Sequence, residues 1–523
     1  MLKLVLVKRW YQPLLVCFII FLVTFIYRFP DVYAYLSTPP GMVFLGQDSW
    51  FDPQDINTYV GVIHYSQSGH FLLPNLWTAL PNQPIVFFSI EQLLGYIFRN
   101  VQPYFLFWLA SIVCGALLVI GIYCLIRKTI TSTLLAGLAT MTIAMGGGFG
   151  IFLYPTVASS DITNSITFYE TFFKPHEAIS LVSYLYGIIM FYDVFIYTPS
   201  QKNKKTIMRM SVALAISFFI YPYLIATYLL TTIPFAIFAK TKIRIQDLLL
   251  LMTLPLLSIL FVAYQLSVNS GFYAPVMQHL STKLLPTLFG YGILLPLFVV
   301  QLFMKKTQFM KYLNWWIIAS LVLAFLPFGP GKIFLRGLFF PLILLAVLQL
   351  QILLKKLELV PLRYFYWMLF FVLVCMTNVY IFYLRTTIIQ APQALDVIYM
   401  PKDEYAVFTY LNNHTIPGSG VLDGGIMSNL IPAYTYDRSC IGSLWSFNAT
   451  YDTELTTVNA FYAGRPISKN YLKQNNISYV LWGPMEQDVT NKYARGNVTD
   501  LRQIYKNLKL VYATSTSKLY QVK

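Results

Sequence analysis

The chain has 523 residues and a formal net charge of +16, and 57% of its residues are hydrophobic while 11% are charged. A soluble core cannot absorb that much apolar sequence, so the composition excludes a soluble globular protein. Several apolar runs have about twenty residues, the length that an α-helix needs to cross the hydrocarbon core of a bilayer. The sequence therefore predicts a helical, multi-spanning membrane protein.

Eleven segments are predicted to be membrane-spanning helices. In chain order they are residues 12–28, 104–126, 129–147, 178–197, 207–220, 222–239, 247–268, 284–304, 313–328, 337–354 and 364–384. The first is interpreted as an uncleaved helix, because no small-residue cleavage site follows it. The fifth and sixth are short and are interpreted as a hairpin turning at Tyr221-Pro222-Tyr223, because basic clusters flank the pair on both sides.

The distribution of Lys and Arg predicts the orientation. Up to residue 385, eighteen basic residues lie in the connections on one side of the membrane and seven on the other. Basic residues accumulate in cytoplasmic connections, so the N-terminus is expected in the cytoplasm and, after eleven spans, the C-terminus outside. Much of the positive charge is thereby explained by topology, and no nucleic-acid partner is expected.

Two extracytoplasmic segments are long enough to carry structure of their own. Residues 29–103 form the first outer loop, in which IVFFSIEQLLGYIFRN (85–100) has the pattern of an amphipathic helix lying on the membrane. Residues 386–523 are expected to form a soluble α/β domain after the membrane domain of residues 1–385. Its predicted strands are VLD, SYVLWG and KLYQV, and its predicted helices are EYAVFTYLNN and DLRQIYKNL.

Three carboxylates follow the first apolar segment, in GQDSWFDPQDINTYVG (46–61). Asp52, with a proline after it, suits a helix N-cap, which is the structural explanation for this residue. Asp55 shares a helix face with Tyr59, four residues on. A carboxylate among aromatic side chains at the membrane surface can have a raised pKa and act as a general base. Asp55 and Asp48 are therefore the candidate catalytic residues.

A second candidate group lies in TFYETFFKPHEAIS (167–180). Pro175 suits the first turn of the helix that follows, whose N-terminal end is expected to face outward. Helix N-termini bind anions, and Lys174 and His176 would add donors there. Glu177 could instead complement the helix dipole, and His176 could be an ordinary interfacial histidine. Both interpretations stay open from the sequence alone.

A third candidate group is the pair Lys332 and Arg336 in FGPGKIFLRGLFFP (328–341). Snorkelling to the membrane surface is the structural explanation for such residues. Outer connections here are poor in basic residues, however, and a close pair of cations beside the bilayer suits a phosphate or pyrophosphate head group. We therefore expect Arg336 in particular to bind substrate.

These features together resemble the GT-C superfamily of integral-membrane glycosyltransferases, which includes protein O-mannosyltransferases, the aminoarabinose transferase of lipid A and oligosaccharyltransferase catalytic subunits. DINTYVGVIHYSQSG is similar to the acid-then-Tyr pattern after the family's first helix, and LPNLWTALPNQPIVFF to the proline-bearing stretch that follows it. RGLFFPLILLA resembles the Arg-Pro start of a late helix that holds lipid phosphate. GGGFG, KPHEAIS and PTLFGYG resemble segments of bacterial members. The acids differ from the Asp-Glu pair of the mannosyltransferases and from the Asp-x-Asp of the oligosaccharyltransferases.

The resemblance implies transfer of a sugar from a polyprenyl-phosphate or polyprenyl-pyrophosphate donor, with inversion, on the extracytoplasmic face. Arg336 and Lys332 would bind the lipid-linked phosphate, and Asp55 or Asp48 would deprotonate the acceptor hydroxyl. His176, with Glu170 or Glu177, would orient the sugar or the acceptor. The acceptor would be a glycan, a lipid or a protein, selected with the help of the C-terminal domain.

Neither the five cysteines nor the five histidines form a spacing typical of a metal site, and the sequence leaves open whether a divalent cation takes part. Two other classes of function remain as alternatives. One is a transporter or flippase of lipid-linked glycans, although no internal repeat or midplane charge is seen. The other is a non-enzymatic envelope protein with an external binding domain.

Overall fold

The chain is mostly helical and divides into two compact units. The computed structural model describes residues 2–48, 53–78, 82–86, 88–153, 162, 166–197, 203–241, 243–268, 281–327, 331–391, 397–424, 427–442, 451–465, 471–493 and 498–523. The first unit comprises Met1–Phe29, Leu109–Tyr264 and Leu280–Leu384. The second comprises Pro30–Trp108, Gln265–His279 and Arg385–Lys523. Each unit is thus assembled from segments far apart in sequence.

The helices of the apolar part are numbered in chain order. They are α1 (Leu2–Leu36), α2 (Pro53–Gln67), α3 (Ser89–Ile97), α4 (Pro103–Arg127), α5 (Thr133–Met145), α6 (Pro175–Phe191), α7 (Lys204–Ile220), α8 (Leu224–Phe238), α9 (Ile245–Val268), α10 (Leu284–Tyr291), α11 (Leu294–Leu302), α12 (Gln308–Ala324), α13 (Phe339–Leu354) and α14 (Val360–Ile388). Short 3-10 turns cover Gly150–Leu153, Glu170–Phe172 and Gly331–Leu335, and a π-helical turn, Tyr192–Tyr197, extends α6.

Polar side chains start several of these helices. Ser132 accepts a hydrogen bond from the Leu135 amide at 3.4 Å. Asn203 accepts one from the Lys205 amide at 2.8 Å. Thr307 does the same for an amide of the first turn of α12, at 3.2 Å. Each side chain satisfies an amide that has no partner within its own helix, so the boundary follows from the local sequence.

Seven helical stretches among the described residues are long and apolar enough to cross a membrane. They are Tyr11–Leu36, Pro103–Arg127, Thr133–Leu153, Pro175–Tyr197, Ile245–Val268, Gly331–Leu354 and Val360–Ile388. Each of the eleven segments predicted from the sequence coincides with helix, so the helical nature of this part is confirmed. The pair α10 and α11 would make an eighth span but bends by 85° between the helices. The count of eleven spans stays a prediction.

The bend after α10 is fixed by glycine. Gly292 has φ +51° and ψ −126°, a combination that residues with a side chain avoid. The glycine-rich segment after α5 packs against this bend: the Phe149 amide donates to the Phe289 carbonyl at 2.7 Å. A Cβ on Gly148 would lie 2.3 Å from the Gly290 carbonyl oxygen. The two glycine motifs noted in the sequence therefore serve one close backbone contact.

The second unit contains a five-stranded mixed sheet in the order β4-β3-β5-β7-β6. The strands are β3 (Gly420–Leu422), β4 (Arg438–Ser439), β5 (Ile477–Trp482), β6 (Leu508–Ala513) and β7 (Lys518–Val522). Strand β3 is parallel to both of its neighbours, and β7 is antiparallel to both of its own. The expected α/β character of the C-terminal region is confirmed.

Helices cover this sheet and pack apolar side chains against it. They are α15 (Lys402–His414), α16 (Met427–Tyr434), α17 (Tyr451–Tyr462), α18 (Tyr471–Gln474) and α19 (Pro484–Tyr493). One predicted helix is wrong, because DLRQIYKNL (500–508) forms only a 3-10 turn, Leu501–Gln503, before strand β6. The Asp500 carboxylate accepts from the Arg502 amide at 2.8 Å and so supports that turn, not a longer helix.

The first outer loop belongs to the same compact unit as the C-terminal region. Strand β1 (Met42–Phe44) pairs antiparallel with β2 (Tyr399–Pro401). The expected amphipathic helix is α3, which buries Glu91 and Gln92 and exposes apolar side chains such as Ile97. Its position on the membrane surface, like the domain boundary at residue 385, stays a prediction.

Candidate functional site

A cluster of charged side chains lies at the start of α6 in the first unit. Lys174 has an extended backbone, and Pro175 takes the first helical position, where its missing amide hydrogen costs nothing. The Lys174 ammonium lies 2.7 Å from a Glu170 carboxylate oxygen and 3.9 Å from one of Glu177. All three charged side chains are buried. Because buried charges require partners, these contacts fix the side chains relative to one another.

Arg336 also belongs to this cluster, although it is far from Glu177 in the sequence. It follows the 3-10 turn Gly331–Leu335, one turn before α13. Its Nη1 lies 3.1 Å from a Glu177 carboxylate oxygen, and its guanidinium carbon lies 4.5 Å from the centre of the Tyr221 ring. The Arg336 side chain keeps 18% of its surface exposed. A guanidinium held by an ion pair and an aromatic ring is pre-organised for an anionic ligand.

A small recess lies beside this arginine. Its polar lining consists of Thr167, Thr171, Glu177, Ser180, Tyr221 and Arg336, and we call this set the arginine pocket. Hydroxyl groups beside a guanidinium are suitable donors for phosphate or sugar oxygens. Glu177 and Arg336 each belong to a stretch long enough to span the membrane, Pro175–Tyr197 and Gly331–Leu354.

The sequence predicted part of this site. It singled out Arg336, Glu177, Glu170 and Lys174, which the structure brings together. It missed Tyr221 and the hydroxyl residues of the arginine pocket. Tyr221 could have been noticed only because it belongs to the Tyr-Pro-Tyr break between α7 and α8. Its contact with Arg336 depends on the tertiary structure, which no local sequence pattern reports.

Two further predicted residues lie near this site without lining the pocket. His176 is buried, and its ring centre lies 6.3 Å from that of Tyr221. Lys332 is partly exposed on the 3-10 turn that leads to Arg336. Lys332 and Arg336 were predicted to bind one phosphate group together. Arg336 lines the arginine pocket, whereas Lys332 does not line it.

The second unit contains a buried group of opposite charges around Asp48. The Asp48 carboxylate accepts hydrogen bonds from Arg385 Nε at 3.0 Å and from Arg385 Nη2, and the Asp48 amide donates to an Asp31 carboxylate oxygen at 3.1 Å. Asp48 is 0% exposed and Arg385 is 1% exposed. Burial raises the pKa of Asp48 well above its usual range, and the Asp31 carboxylate raises it further, while Arg385 opposes both effects.

Asp55 has a different environment in the same unit. It lies in the first turn of α2, is partly exposed, and accepts a hydrogen bond from the Tyr59 hydroxyl at 3.3 Å. The Tyr59 ring packs edge-on against Phe88, with ring centres 4.9 Å apart. The shared helix face predicted for Asp55 and Tyr59 is thus observed. Asp52, predicted as the N-cap of this helix, lies outside the described residues.

The two groups offer different chemistry. In the first unit a guanidinium, an ion-paired lysine and several hydroxyls can bind an anion. In the second unit Asp55 offers an accessible carboxylate that can accept a proton, while both oxygens of Asp48 are engaged by Arg385. Within the described part of the chain, no group of three or more His, Cys, Asp or Glu residues has the geometry to hold a metal ion.

Solved structures of similar fold are known. The archaeal oligosaccharyltransferase AglB from Archaeoglobus fulgidus, in complex with an inhibitory peptide and a dolichol-phosphate, matches with a TM-score of 0.53 and 12% identity, covering 99% of this chain and 75% of that chain. A second oligosaccharyltransferase structure from that organism, tethered to an acceptor peptide containing an NVT sequon, gives a TM-score of 0.53 and 12% identity over 99% of this chain and 74% of that chain. No family model and no curated protein matches the sequence. At this identity the likeness shows that the chain shares the fold of these oligosaccharyltransferase structures.

Proposed function

We propose that the chain is a membrane glycosyltransferase that transfers a sugar from a polyprenyl-phosphate-linked donor to an acceptor hydroxyl on the extracytoplasmic face. The observation that carries the proposal is the arginine pocket, in which Arg336 is held by Glu177 and Tyr221 beside hydroxyl groups. Both charged residues belong to apolar, span-length helical stretches, so a ligand there can keep its tail in the bilayer. A protein of similar fold has been solved with a dolichol-phosphate, which supports a lipid-linked donor.

In the proposed reaction the acceptor hydroxyl attacks the anomeric carbon from the face opposite the phosphate. A new carbon–oxygen bond forms, the bond to the phosphate oxygen breaks, and the lipid phosphate leaves with the electron pair, which inverts the anomeric centre. Arg336, with Lys332 nearby, stabilises the negative charge that develops on the leaving phosphate. Asp55 takes the proton of the acceptor hydroxyl as general base.

Asp55 is the better base of the two predicted aspartates. It is partly exposed, while Asp48 is fully buried with both oxygens bound by Arg385. A base must approach the proton that it removes, and Asp48 could do so only after releasing a buried guanidinium. We assign Asp48 the structural task of holding the segment before α2, with Asp55 as the catalytic residue and Tyr59 orienting its carboxylate.

The remaining candidates support binding. Lys174 and Glu170 hold Glu177, and through it Arg336, in place. His176, at the same helix start, orients the sugar or the acceptor. The acceptor is a glycan, a lipid or a protein, and the C-terminal region helps to select it. We place the N-terminus in the cytoplasm and the C-terminal region outside the cell membrane.

The test is donor turnover by the purified protein in lipid nanodiscs. The donors are a panel of polyprenyl-phosphate and polyprenyl-pyrophosphate sugars, with a cell-envelope extract as acceptor and mass spectrometry as the readout. We expect the wild type to consume one of the donors. The matched control is Asp488→Asn, which replaces an exposed aspartate of the second unit and should consume the same donor. Asp55→Asn should reduce turnover at least about a hundredfold, the range of a lost general base.

Other outcomes would change the assignment of the catalytic base or of the function. If Asp55→Asn turns over normally and a folded Asp48→Asn does not, Asp48 is the base. If the folded, membrane-inserted wild type consumes no donor, the transferase proposal is wrong. Movement of an intact labelled donor across the bilayer would then identify a flippase, and binding without turnover or transport would identify an envelope binding protein.

A further inference from the structure

Arg336 and Gly337 lie in the short junction between the 3-10 turn Gly331–Leu335 and α13. Backbone hydrogen bonds fix the chain on both sides of this junction. The Arg336 amide donates to the Ile333 carbonyl at 3.1 Å, and the Phe340 amide donates to the Gly337 carbonyl at 3.1 Å. Because the flanking turns are fixed, the direction in which the Arg336 side chain leaves the backbone depends on the conformation of the junction itself.

Gly337 gives the junction a conformation that other residues rarely adopt. Its φ is +77°, in the left-handed region that disfavours residues with a side chain. A Cβ placed on Gly337 would also lie 2.9 Å from Cδ1 of Leu181, and 4.0 Å from side-chain atoms of Leu185 and Tyr184. All three side chains belong to α6 and are buried. Glycine therefore lets the junction pack against α6 more closely than a residue with a side chain could.

The same face of α6 binds Arg336. Leu181 follows Glu177 by four residues, about one helical turn, so the two side chains lie on one face of α6. Arg336 Nη1 lies 3.1 Å from a Glu177 carboxylate oxygen, while Gly337 lies against Leu181. Leu181, Gly337 and Arg336 line the same recess. The separation between the junction and α6 therefore sets the position of the guanidinium in the arginine pocket.

Resting on the proposed function, we propose that Gly337 is a positioning residue for the lipid-linked phosphate of the donor. It contributes no side chain to the ligand. It allows the close approach to α6 that brings Arg336 to Glu177 and against the Tyr221 ring. A Cβ at this position would push the junction away from α6 and displace the guanidinium, and a misplacement of about 1 Å can cost about a hundredfold in activity.

The test measures donor binding and fold stability separately. A fluorescent polyprenyl-phosphate analogue is titrated onto the full-length protein in nanodiscs, and thermal unfolding is recorded on the same samples. Gly337→Ala should bind the analogue at least about tenfold more weakly while still folded, and in turnover its KM for the donor should rise by a similar factor. The matched control is Gly418→Ala in the second unit, where φ is +86° but no atom lies within 4 Å of the new Cβ. This control should bind the analogue as the wild type does.

A double variant isolates the contact with Leu181. Gly337→Ala/Leu181→Ala removes the side chain that the new Cβ would meet, so it should regain part of the lost affinity. A purely structural role would lower the unfolding temperature of Gly337→Ala but leave the affinity of the folded protein unchanged, and that result overturns the inference. A double variant that binds no better than Gly337→Ala overturns it as well.

If Gly337→Ala does not fold, Leu181→Phe decides, because it adds volume against Gly337 without changing the backbone of the junction. Weaker binding by this variant supports the inference, and wild-type affinity overturns it.

The inference and the proposed function fail separately. If the wild type consumes a donor and Gly337→Ala has an unchanged donor KM, the inference is wrong while the proposed function stands. If Arg336→Gln binds the analogue as the wild type does, the arginine pocket is not the donor site, and both are wrong.

Discussion

A group of buried charged side chains stabilises part of the second unit. Asp48, Arg385 and Asp31 combine two carboxylates with one guanidinium in the second unit, and Asp48 has no exposed surface. Such a group contributes little net stability when complete but is costly to break, because the remaining charge stays buried without its partner. The ion pair therefore holds the chain at Asp48 within the second unit.

Replacing Arg385 tests this view. Arg385→Gln should destabilise the protein by roughly 3 to 5 kcal/mol, the range for removing one partner of a buried pair. The double variant Arg385→Gln/Asp48→Asn should regain part of the loss, because the carboxylate that Arg385 binds is then also removed. Thermal unfolding in detergent measures both.

The control is Arg502→Gln, which removes an exposed ion pair with Asp500 at 2.8 Å and should change the unfolding temperature little. A double variant that is no more stable than Arg385→Gln alone would contradict the electrostatic explanation.

Asp437 predicts a pH dependence of stability in the second unit. Burial raises the pKa of Asp437 to about 7, although the Thr415 hydroxyl donates to its carboxylate at 2.7 Å. An unfolded aspartate titrates at about 3.9, so the folded state binds the extra proton between about pH 4 and pH 7. Stability from this group is full below that window and is lost as the pH rises through it.

Asp437→Asn should remove this dependence. Between pH 4.5 and 7.5 the unfolding temperature of the wild type should fall relative to that of the variant, because the variant has no carboxyl group to ionise. Asp488→Asn, an exposed aspartate, should follow the wild type. Parallel curves for Asp437→Asn and the wild type would show that the buried carboxyl group titrates normally.

At the scale of the elements, the broken helix α10–α11 is the feature that hydropathy could not show. The apolar sequence of Leu284–Tyr291 and Leu294–Leu302 continues through the break, and one span from 284 to 304 was therefore predicted. The break depends on Gly292 and on the approach of Gly148 to the Gly290 carbonyl. The hydropathy of a segment indicates that its side chains are buried in lipid or in protein. It does not indicate where the backbone changes direction.

Gly148→Ala should distort this contact. The new Cβ would lie 2.3 Å from the Gly290 carbonyl oxygen, and Gly148 also has φ +57°. Backbone strain alone costs about 1 to 2 kcal/mol, and the contact adds to it. The matched control is Gly418→Ala, which has φ +86° but no atom within 4 Å of the new Cβ. Equal losses of thermal stability in the two variants would show that only backbone strain matters at Gly148.

At the scale of the whole molecule, both compact units are discontinuous in sequence. The second unit combines the first outer loop, Pro30–Trp108, with Arg385–Lys523, and the pairing of β1 with β2 joins these two segments. A loop and a tail that share a unit must lie on the same side of the membrane. The shared unit therefore agrees with the orientation predicted from the basic residues, in which both segments lie outside.

Reporter fusions test this orientation. Alkaline phosphatase fused at Lys523 should be active in a bacterial host, and green fluorescent protein fused there should be dark, because the first folds only outside the cytoplasm and the second only inside. Fusions at Lys356, in the predicted cytoplasmic connection between α13 and α14, should give the opposite result. Fluorescence at both positions would overturn the predicted topology.

The sequence by itself determined the class of the protein and the helical segments, and it predicted several residues that the structure brings together. Apolar runs of span length indicate a membrane protein, because local composition is sufficient for that, and alternating basic connections predict its orientation. Arg336, Glu177 and Lys174 were identified because charges are rare in such a chain and therefore conspicuous. The same reasoning linked Asp55 with Tyr59, since helical spacing alone puts them on one face.

Only the tertiary structure decided which of these residues act together. It paired Arg336 with Glu177 and stacked it on Tyr221, and it left Lys332 outside the pocket lining. It also bound Asp48 to Arg385, 337 residues away, which distinguishes Asp48 from Asp55. The physical reason is that burial and pairing set the cost of a charge, and both depend on neighbours that are distant in sequence.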